Sequence, residues 1–136
     1  MASYLCNGSV NPSRFVKGDP TQTGGGYVIQ CVGSDRPIGI SQPGVRQPPI
    51  NLLDDGFAGV AGINEIEVIV PGEHIQECWL ESGAAVSAFD YLKPDGSGRG
   101  ITAGSDGDQY GAIAQQAATA VGQLIRVRLL IGYRGA

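Results

Sequence analysis

Short hydrophobic runs separated by glycine- and proline-rich turns make up most of this chain. Residues 65–70 alternate between charged and apolar side chains before Pro71-Gly72, and residues 124–131 pass from alternating to continuously apolar. Runs of this kind, rich in β-branched residues and bounded by turn residues, are typical of β-strands. We therefore predict strands at both places, the second one inside a sheet because both of its faces become apolar.

Further runs of the same character predict more strands. Residues 27–32 and 36–41 flank the turn residues 33–35, so they are predicted to form a strand pair. Residues 42–50 follow as a loop, because their three prolines cannot donate hydrogen bonds to a central sheet. The remaining predictions are strands at residues 74–80 and 85–92 and an irregular segment with one helical turn at residues 52–62.

The best-defined local signal is a hairpin at residues 89–100. The run that ends at Leu92 leads into Pro94-Asp95-Gly96 and Gly98, and a second apolar run begins at Ile101. Proline, aspartate and glycine in this order are typical of a tight turn between two antiparallel strands. A second turn is predicted at residues 104–108, where the sequence is Gly-Ser-Asp-Gly-Asp.

Two segments are less regular. Residues 1–26 are polar and interrupted by Asn7-Gly8 and Gly24-Gly25-Gly26, so on their own they cannot bury enough apolar surface to fold. We predict that they form an extended N-terminal arm, followed by a single β domain at residues 27–136. Residues 111–120 are rich in alanine and glutamine, so local propensity there favours a short and marginal helix.

Length and charge limit the class of protein. A chain of 136 residues is one domain by size and is long enough to bury its own core. Charged residues make up only 16%, which indicates that partner proteins cover part of the surface. The nine basic residues are scattered along a chain of net charge −4, which argues against direct binding to nucleic acid. No apolar run reaches about 18 residues and residues 1–6 do not resemble a secretory signal, so neither membrane insertion nor export is expected.

Residues that usually carry catalysis or bind metals are sparse. His74 is the single histidine and lies in a predicted strand, where we expect it to face solvent. Cys6, Cys31 and Cys78 share no C-x-x-C spacing, so we expect free thiols rather than a zinc site or a disulfide framework. The aspartate-rich turns lack the closing glutamate of a calcium loop. We therefore predict no catalytic residue, no metal and no cofactor, and a protein that is not an enzyme.

The half of the chain from about Trp79 onward resembles the small capsid cement or decoration proteins of tailed bacteriophages. In that family a strand of small residues enters an Asp-Tyr-Leu-Lys turn with an Asp/Gly-rich tip and a Gly-Arg, a Gly-Ile-Ala-type strand follows, and a Leu-Ile-Arg-Val-type strand closes the chain. Order and spacing agree over about fifty residues, although Phe89 stands where the family usually has glycine. The matching segments are residues 86–95, 98–99, 111–115 and 122–127.

This resemblance implies a fold and a function. The expected fold is all-β, a small antiparallel β-sandwich or barrel of jelly-roll type, in which residues 112–119 form a strand despite their local helix propensity. The expected protein is a homodimer or homotrimer that is made in the host cytoplasm and binds the major capsid protein on the outer surface of the virion head. It would bridge neighbouring subunits and stabilise the head against the pressure of packaged DNA.

An extended arm and a proline-rich loop would add contact area with such a shell. We therefore predict that residues 14–32 and 42–50 contain the capsid contacts. The individual candidates are Arg14, Phe15, Lys17, Tyr27, Pro43, Arg46, Pro48 and Pro49.

Two other functions have weaker support. A module that binds carbohydrate or a host surface would need clustered exposed aromatics. Trp79 and Tyr91 lie in apolar strands, where single aromatics are usually core anchors. The other aromatics are dispersed along the chain rather than clustered: Tyr4, Phe57, Tyr110 and Tyr133.

A small hydrolase or lyase would need catalytic groups that the sequence does not supply.

Overall fold

The chain folds as two curled β-sheets that pack against each other, which confirms the predicted all-β sandwich. The computed structural model describes residues 2–6, 10–21, 26–33, 35–47, 52–53, 65–70, 77–105 and 107–133, and these residues form strands and no helix. The N-terminal sheet contains β1 (Ala2–Cys6), β2 (Phe15–Gly18), β3 (Tyr27–Gln30), β4 (Gly39–Gln47), β5 (Leu52–Leu53) and β6 (Glu65–Ile69). The C-terminal sheet contains β7 (Glu77–Glu81), β8 (Tyr91–Pro94), β9 (Gly100–Thr102), β10 (Gln109–Ala114) and β11 (Leu124–Tyr133).

The N-terminal sheet curls far enough for β4 to form hydrogen bonds with β2, the strand at the other end of the order. Its order is β2-β3-β1-β6-β4-β5, and β2 pairs with β4 as well as with β3. The β1–β3 pair is parallel and the other pairs are antiparallel. A small core lies against this sheet and consists of Cys6, Val10, Val16, Val28 and Val68, all buried.

Residues 2–6 and 15–18 are integral strands of this sheet, which corrects the prediction of an extended arm. Val10, Phe15 and Val16 are at most 1% exposed. The segment carries too few apolar residues to fold alone, but strands from residues 27–69 supply the hydrogen-bonding partners and the other half of the core.

The predicted pairing of residues 27–32 with 36–41 is also wrong. The strands exist as β3 and the start of β4, but β2 lies between them and pairs with both, through Val16 to Gln30 and Phe15 to Ile40. The loop predicted from residue 42 is wrong as far as Gln47, because β4 continues through Pro43. A register shift between Ser41 and Val45 takes up this proline, as a β-bulge does, and residues 48–50 lie outside the described part.

The C-terminal sheet contains the predicted hairpin and the predicted interior strand. Its order is β7-β11-β10-β8-β9, so β11 has a neighbour on each side. Strands β8 and β9 pair antiparallel with Lys93 opposite Ile101, which confirms the hairpin. Strand β6 confirms the prediction at residues 65–70, and β7 covers the part of residues 74–80 that is described.

The strand predicted at residues 85–92 is present only from Tyr91, where β8 begins, and a turn precedes it. The Asp90 amide donates to the Ser87 carbonyl over 3.2 Å, and the Ser87 amide donates to Asp90 Oδ2 over 2.9 Å. Phe89 in this turn has a φ of +69°, the left-handed conformation in which glycine is favoured. Glycine at this position would adopt the same conformation without strain.

The stretch with local helix propensity is a strand over its first half. Strand β10 continues to Ala114, where it pairs with Val127, and the chain then bends before Ala118 forms an isolated bridge with Val86. The small side chains of Ala112, Ala114 and Ala118 belong to the core and are at most 3% exposed. Pairing with β8 and β11 has outweighed a helix propensity of a few tenths of a kcal/mol per residue.

The main core joins the two sheets. It includes Phe15 and Ile40 from the N-terminal sheet, with Leu80, Leu92 and Ile125 from the C-terminal sheet, all at most 1% exposed.

The turn predicted at residues 104–108 is present, since the Ser105 amide donates to Asp108 Oδ2 over 2.9 Å.

Some predictions fall outside the described residues. His74, Phe57 and residues 54–62 belong to this group. Across the part of the chain that the structure describes, no helical segment has the length and hydrophobicity that a membrane span requires.

Candidate interaction surface

A polar junction fixes the two sheets against each other. The Arg14 guanidinium, which precedes β2, donates from Nη2 to Glu81 Oε2 over 3.1 Å and from Nη1 to the Ser97 carbonyl over 2.8 Å. Arg99, just before β9, donates through Nε to the same Glu81 oxygen. One carboxylate at the end of β7 therefore holds two guanidinium groups, one from each sheet.

Backbone contacts continue this junction along the hairpin tip. The Phe15 amide donates to the Gly98 carbonyl over 2.8 Å, and the Glu81 amide donates to the Ser13 carbonyl over 2.9 Å. A Cβ at Gly98 would lie 3.1 Å from the Phe15 carbonyl oxygen, and its φ is +76°, so this close approach requires glycine. The hairpin that the sequence predicts most clearly thus docks its tip on the N-terminal sheet.

The side of the C-terminal sheet that faces away from the core has many exposed apolar groups, and we call it the outer face. Alternation along β11 directs one set of side chains to this side, and cross-strand pairing adds residues from β7, β10 and β8. One row runs across four strands, with Arg128 opposite both Glu77 and Ile113, and Ile113 opposite Tyr91. The outer face comprises Glu77, Trp79, Tyr91, Ile113, Leu124, Arg126, Arg128 and Leu130.

Large apolar side chains on this face are open to solvent. Trp79 is 43% exposed, Leu124 54% and Leu130 42%. The Arg126 guanidinium carbon lies 5.4 Å from the centre of the Trp79 ring, within the range of a cation–π contact, so the two side chains hold each other. Tyr91 contacts Tyr110 in a tilted arrangement, with ring centres 4.5 Å apart and an angle of 38° between the ring planes.

The charge of the outer face differs in sign from that of the whole chain. Arg126 and Arg128 are exposed, and within the described residues neither makes an ion pair. Glu77 is the carboxylate opposite Arg128, while Glu81, opposite Leu124, is held by the junction arginines. The face thus carries an excess of positive charge on a chain of net charge −4.

The predicted capsid contacts in residues 14–32 do not form one exposed surface. Arg14 is 8% exposed and Phe15 is fully buried, because one belongs to the junction and the other to the main core, so neither can present its side chain to a partner. Lys17 is half-buried and its Nζ lies 3.0 Å from Asp35 Oδ2. Tyr27 is half-buried in β3, where it pairs with Leu5.

The predicted contacts in residues 42–50 lie on or beyond β4. Pro43 and Arg46 belong to β4, and Arg46 is opposite both Leu53 and Glu65 in the sheet. Pro48 and Pro49 lie outside the described residues. Burial and pairing thus remove Arg14 and Phe15 from the predicted contacts and leave the others as predictions.

Trp79 on the outer face contradicts the sequence interpretation, and the exposed Arg126 and Arg128 were missed by it. Trp79 was expected to anchor the core, but the alternation of β7 buries Cys78 and Leu80 and turns the indole outward. A signal was present in the sequence, because Arg126 and Arg128 occupy alternate positions with Leu124 and Leu130, which marks one solvent-facing side of that strand.

The three thiols are unsuited to nucleophilic chemistry. All are free and buried. Burial raises the pKa of Cys6 to about 11 and that of Cys78 to about 12. Burial, assisted by the nearby Asp35 carboxylate, raises the pKa of Cys31 to about 12. No group of three or more histidine, cysteine, aspartate or glutamate residues placed to hold a metal ion occurs among the described residues.

Comparison with known proteins gives a structural likeness. No protein-family model matches the chain. No curated protein matches it either. Among solved structures, the chain is similar to the N base of the head fiber gp8.5 of bacteriophage phi29, with a TM-score of 0.62 and 12% sequence identity. The likeness covers 95% of this chain and 92% of that one, so the two share a fold over nearly their whole lengths.

Proposed function

We propose that this protein is a structural component of a tailed-bacteriophage head, a capsid cement or decoration protein that binds the outside of the major capsid shell. The observation that carries this proposal is the fold likeness to the N base of a phage head fiber, over 95% of the chain. The cement-like order of segments after Trp79 supports it independently, since it rests on sequence rather than on fold.

A rigid body with an open apolar face suits such a role. The junction of Arg14, Glu81 and Arg99 ties the two sheets together, so little conformational entropy is lost when a neighbour binds. The outer face, with Trp79 and two arginines, has the composition of a protein-binding surface, in which tryptophan, tyrosine and arginine contribute most of the affinity.

The proposed role requires no catalysis. The described thiols are buried and protonated at neutral pH, which disfavours a thiolate nucleophile. The protein would act mechanically, as a homodimer or homotrimer whose copies bridge adjacent capsid subunits. Many weak contacts on one particle would add up through avidity and oppose outward pressure from packaged DNA.

Binding to empty capsids of the phage that encodes the protein tests this proposal. We expect saturable binding at a fixed ratio to the capsid subunit, with density at symmetry-related positions on the outside of the shell in cryo-electron microscopy. In a separate measurement, DNA-filled capsids that carry the protein should release their DNA at a higher temperature than filled capsids that lack it. Absence of binding, or binding without fixed stoichiometry, would refute the proposal.

A second candidate function is carbohydrate binding, which the exposed Trp79 and the tilted Tyr91–Tyr110 ring pair favour. Aromatic rings on a flat sheet face can stack on sugar rings. A glycan array separates the two functions, because saturable glycan binding that disappears in Trp79→Ala would support this candidate.

A further inference from the structure

The outer face has a chemistry that selects its occupant. Its centre is apolar, with Trp79, Leu124 and Leu130 at 43%, 54% and 42% exposure. Its charges are two arginines and one glutamate, and within the described residues neither Arg126 nor Arg128 has an ion-pair partner. A binding partner that covers this face must desolvate those guanidinium groups, so it must supply acceptors for them.

The face is also already ordered. Trp79 and Arg126 lie on neighbouring strands as directly opposed residues, and their cation–π contact holds the indole and guanidinium side by side. The backbone of the row from Glu77 through Arg128 and Ile113 to Tyr91 is fixed by the hydrogen bonds between its paired strands. Such preorganised aromatic and arginine groups are the usual centres of binding affinity.

A second copy of this chain fits the face poorly. In a two-fold contact each copy would bring Arg126 and Arg128 but only Glu77 as an available carboxylate, because Glu81 is held by the junction. Two unbalanced positive charges would then be buried between the copies, which is unfavourable. Nucleic acid is also disfavoured, since two arginines on an acidic chain supply little phosphate neutralisation.

We infer that the outer face is the surface through which the protein binds the shell, and that its occupant is an acidic protein surface with an apolar centre. Carboxylates of that surface pair with Arg126 and Arg128, and its apolar centre covers Trp79 and Leu124. This inference rests on the proposed function and adds to it the binding surface and the chemistry of the partner.

The chain offers a direct reporter, because Trp79 is its single tryptophan. Replacing it biosynthetically with 5-hydroxytryptophan gives an indole that can be excited apart from the tryptophans of the shell. On binding to empty capsids, we expect its emission to shift to shorter wavelength and its quenching by acrylamide to fall several-fold. This measurement uses the intact chain and does not depend on the folding of any substituted variant.

Substitutions then test the charge. Arg126→Glu and Arg128→Glu should each weaken binding to empty capsids by about 10-fold or more, and Trp79→Ala by about 30-fold. Added salt should weaken binding of the unaltered protein and have less effect on the two charge variants. The matched control is Arg36→Glu, an exposed residue outside the C-terminal sheet and outside residues 14–32 and 42–50, which should bind as the unaltered protein does.

The outcomes separate this inference from the proposed function. If the unaltered protein does not bind capsids, the proposed function fails. If it binds but the indole stays equally quenchable and Arg126→Glu and Arg128→Glu bind normally, the function stands and the outer face is not the contact. If the charge variants bind more tightly, the partner is basic and the inference is wrong. If the indole is shielded in concentrated protein alone and sedimentation shows a dimer, a second copy occupies the face and the inference is again wrong.

Discussion

Arg14 and Glu81 are 67 residues apart in the chain, yet Arg14 Nη2 lies 3.1 Å from Glu81 Oε2 where the two sheets meet. Their side chains are 9% and 22% exposed, so this ion pair is shielded from solvent. Arg14 Nε is buried and no described residue accepts a hydrogen bond from it, which makes the guanidinium depend still more on the carboxylate.

Glu81→Gln should therefore destabilise the fold by about 3 kcal/mol, because it leaves the buried Arg14 guanidinium without its counter-charge. Urea unfolding followed by circular dichroism measures the change. Lys93→Met is the matched control, since it breaks the more exposed ion pair with Asp108 (3.0 Å) and should cost about 0–1 kcal/mol. Equal losses in the two variants would show that the junction carries no special stability.

Phe89→Gly should stabilise the protein by about 1 kcal/mol. Phe89 is 76% exposed, so little packing is lost, and its φ of +69° is strained for any residue with a Cβ. Ala88→Gly is the control, because the neighbouring residue lacks a positive φ and glycine there should destabilise by about 0.5–1 kcal/mol. Thermal unfolding of both variants checks the opposite signs, and a loss of stability in Phe89→Gly would mean that the ring contributes packing.

Gly111→Ala should destabilise the protein by about 1–3 kcal/mol through overpacking. A Cβ at this position would lie 2.6 Å from Phe15 Cε1 and 2.6 Å from Pro37 Cγ, where β10 crosses the N-terminal sheet. Among the described residues, none has an atom within 4 Å of a Cβ added at Gly104, and the φ of Gly104 is ordinary, so Gly104→Ala should be neutral or slightly stabilising. Chemical denaturation of the pair decides the matter, and equal stability would show that the two sheets adjust freely at β10.

Stability should fall as pH rises above about 9. Burial raises the pKa of Cys6 to about 11 and those of Cys31 and Cys78 to about 12, from an ordinary value of 9.0. In this window the unfolded chain loses thiol protons that the folded chain retains, so each thiol contributes a slope of up to about −1.4 kcal/mol per pH unit. Below pH 9 both states keep these protons and the thiols contribute no slope.

Urea midpoints at several pH values between 8 and 11 measure this slope. In Cys78→Ala the slope should be less steep by the share of one thiol, while the overall stability also falls because a cavity forms. The difference in slope between the two proteins cancels the other groups that titrate at high pH. Identical slopes would show that the Cys78 thiol ionises equally well in the folded state.

The local pattern of residues was sufficient to predict those strands and turns that are specified by neighbouring residues in the sequence. The alternation at residues 65–70, the apolar run of β11 and the Pro94-Asp95-Gly96 turn each identified the structure found. The same pattern failed over most of residues 85–92, because the strand begins only at Tyr91 and the preceding residues form a turn, with Asp90 as its cap and Phe89 in a left-handed conformation. A hydrogen bond between a side chain and the backbone three residues away cannot be predicted from hydrophobic periodicity.

Adjacent residues were enough to predict the clearest strands and the hairpin, because alternation and turn chemistry act over a few residues. The all-β class also rested on the family resemblance, since residues 111–120 taken alone favour a helix. The folded structure was needed to show that β1 and β2 belong to the N-terminal sheet, since their partner strands lie far along the chain. It also decided that Arg14 is buried and Trp79 exposed, because which side of a strand is covered depends on the sheet that packs against it.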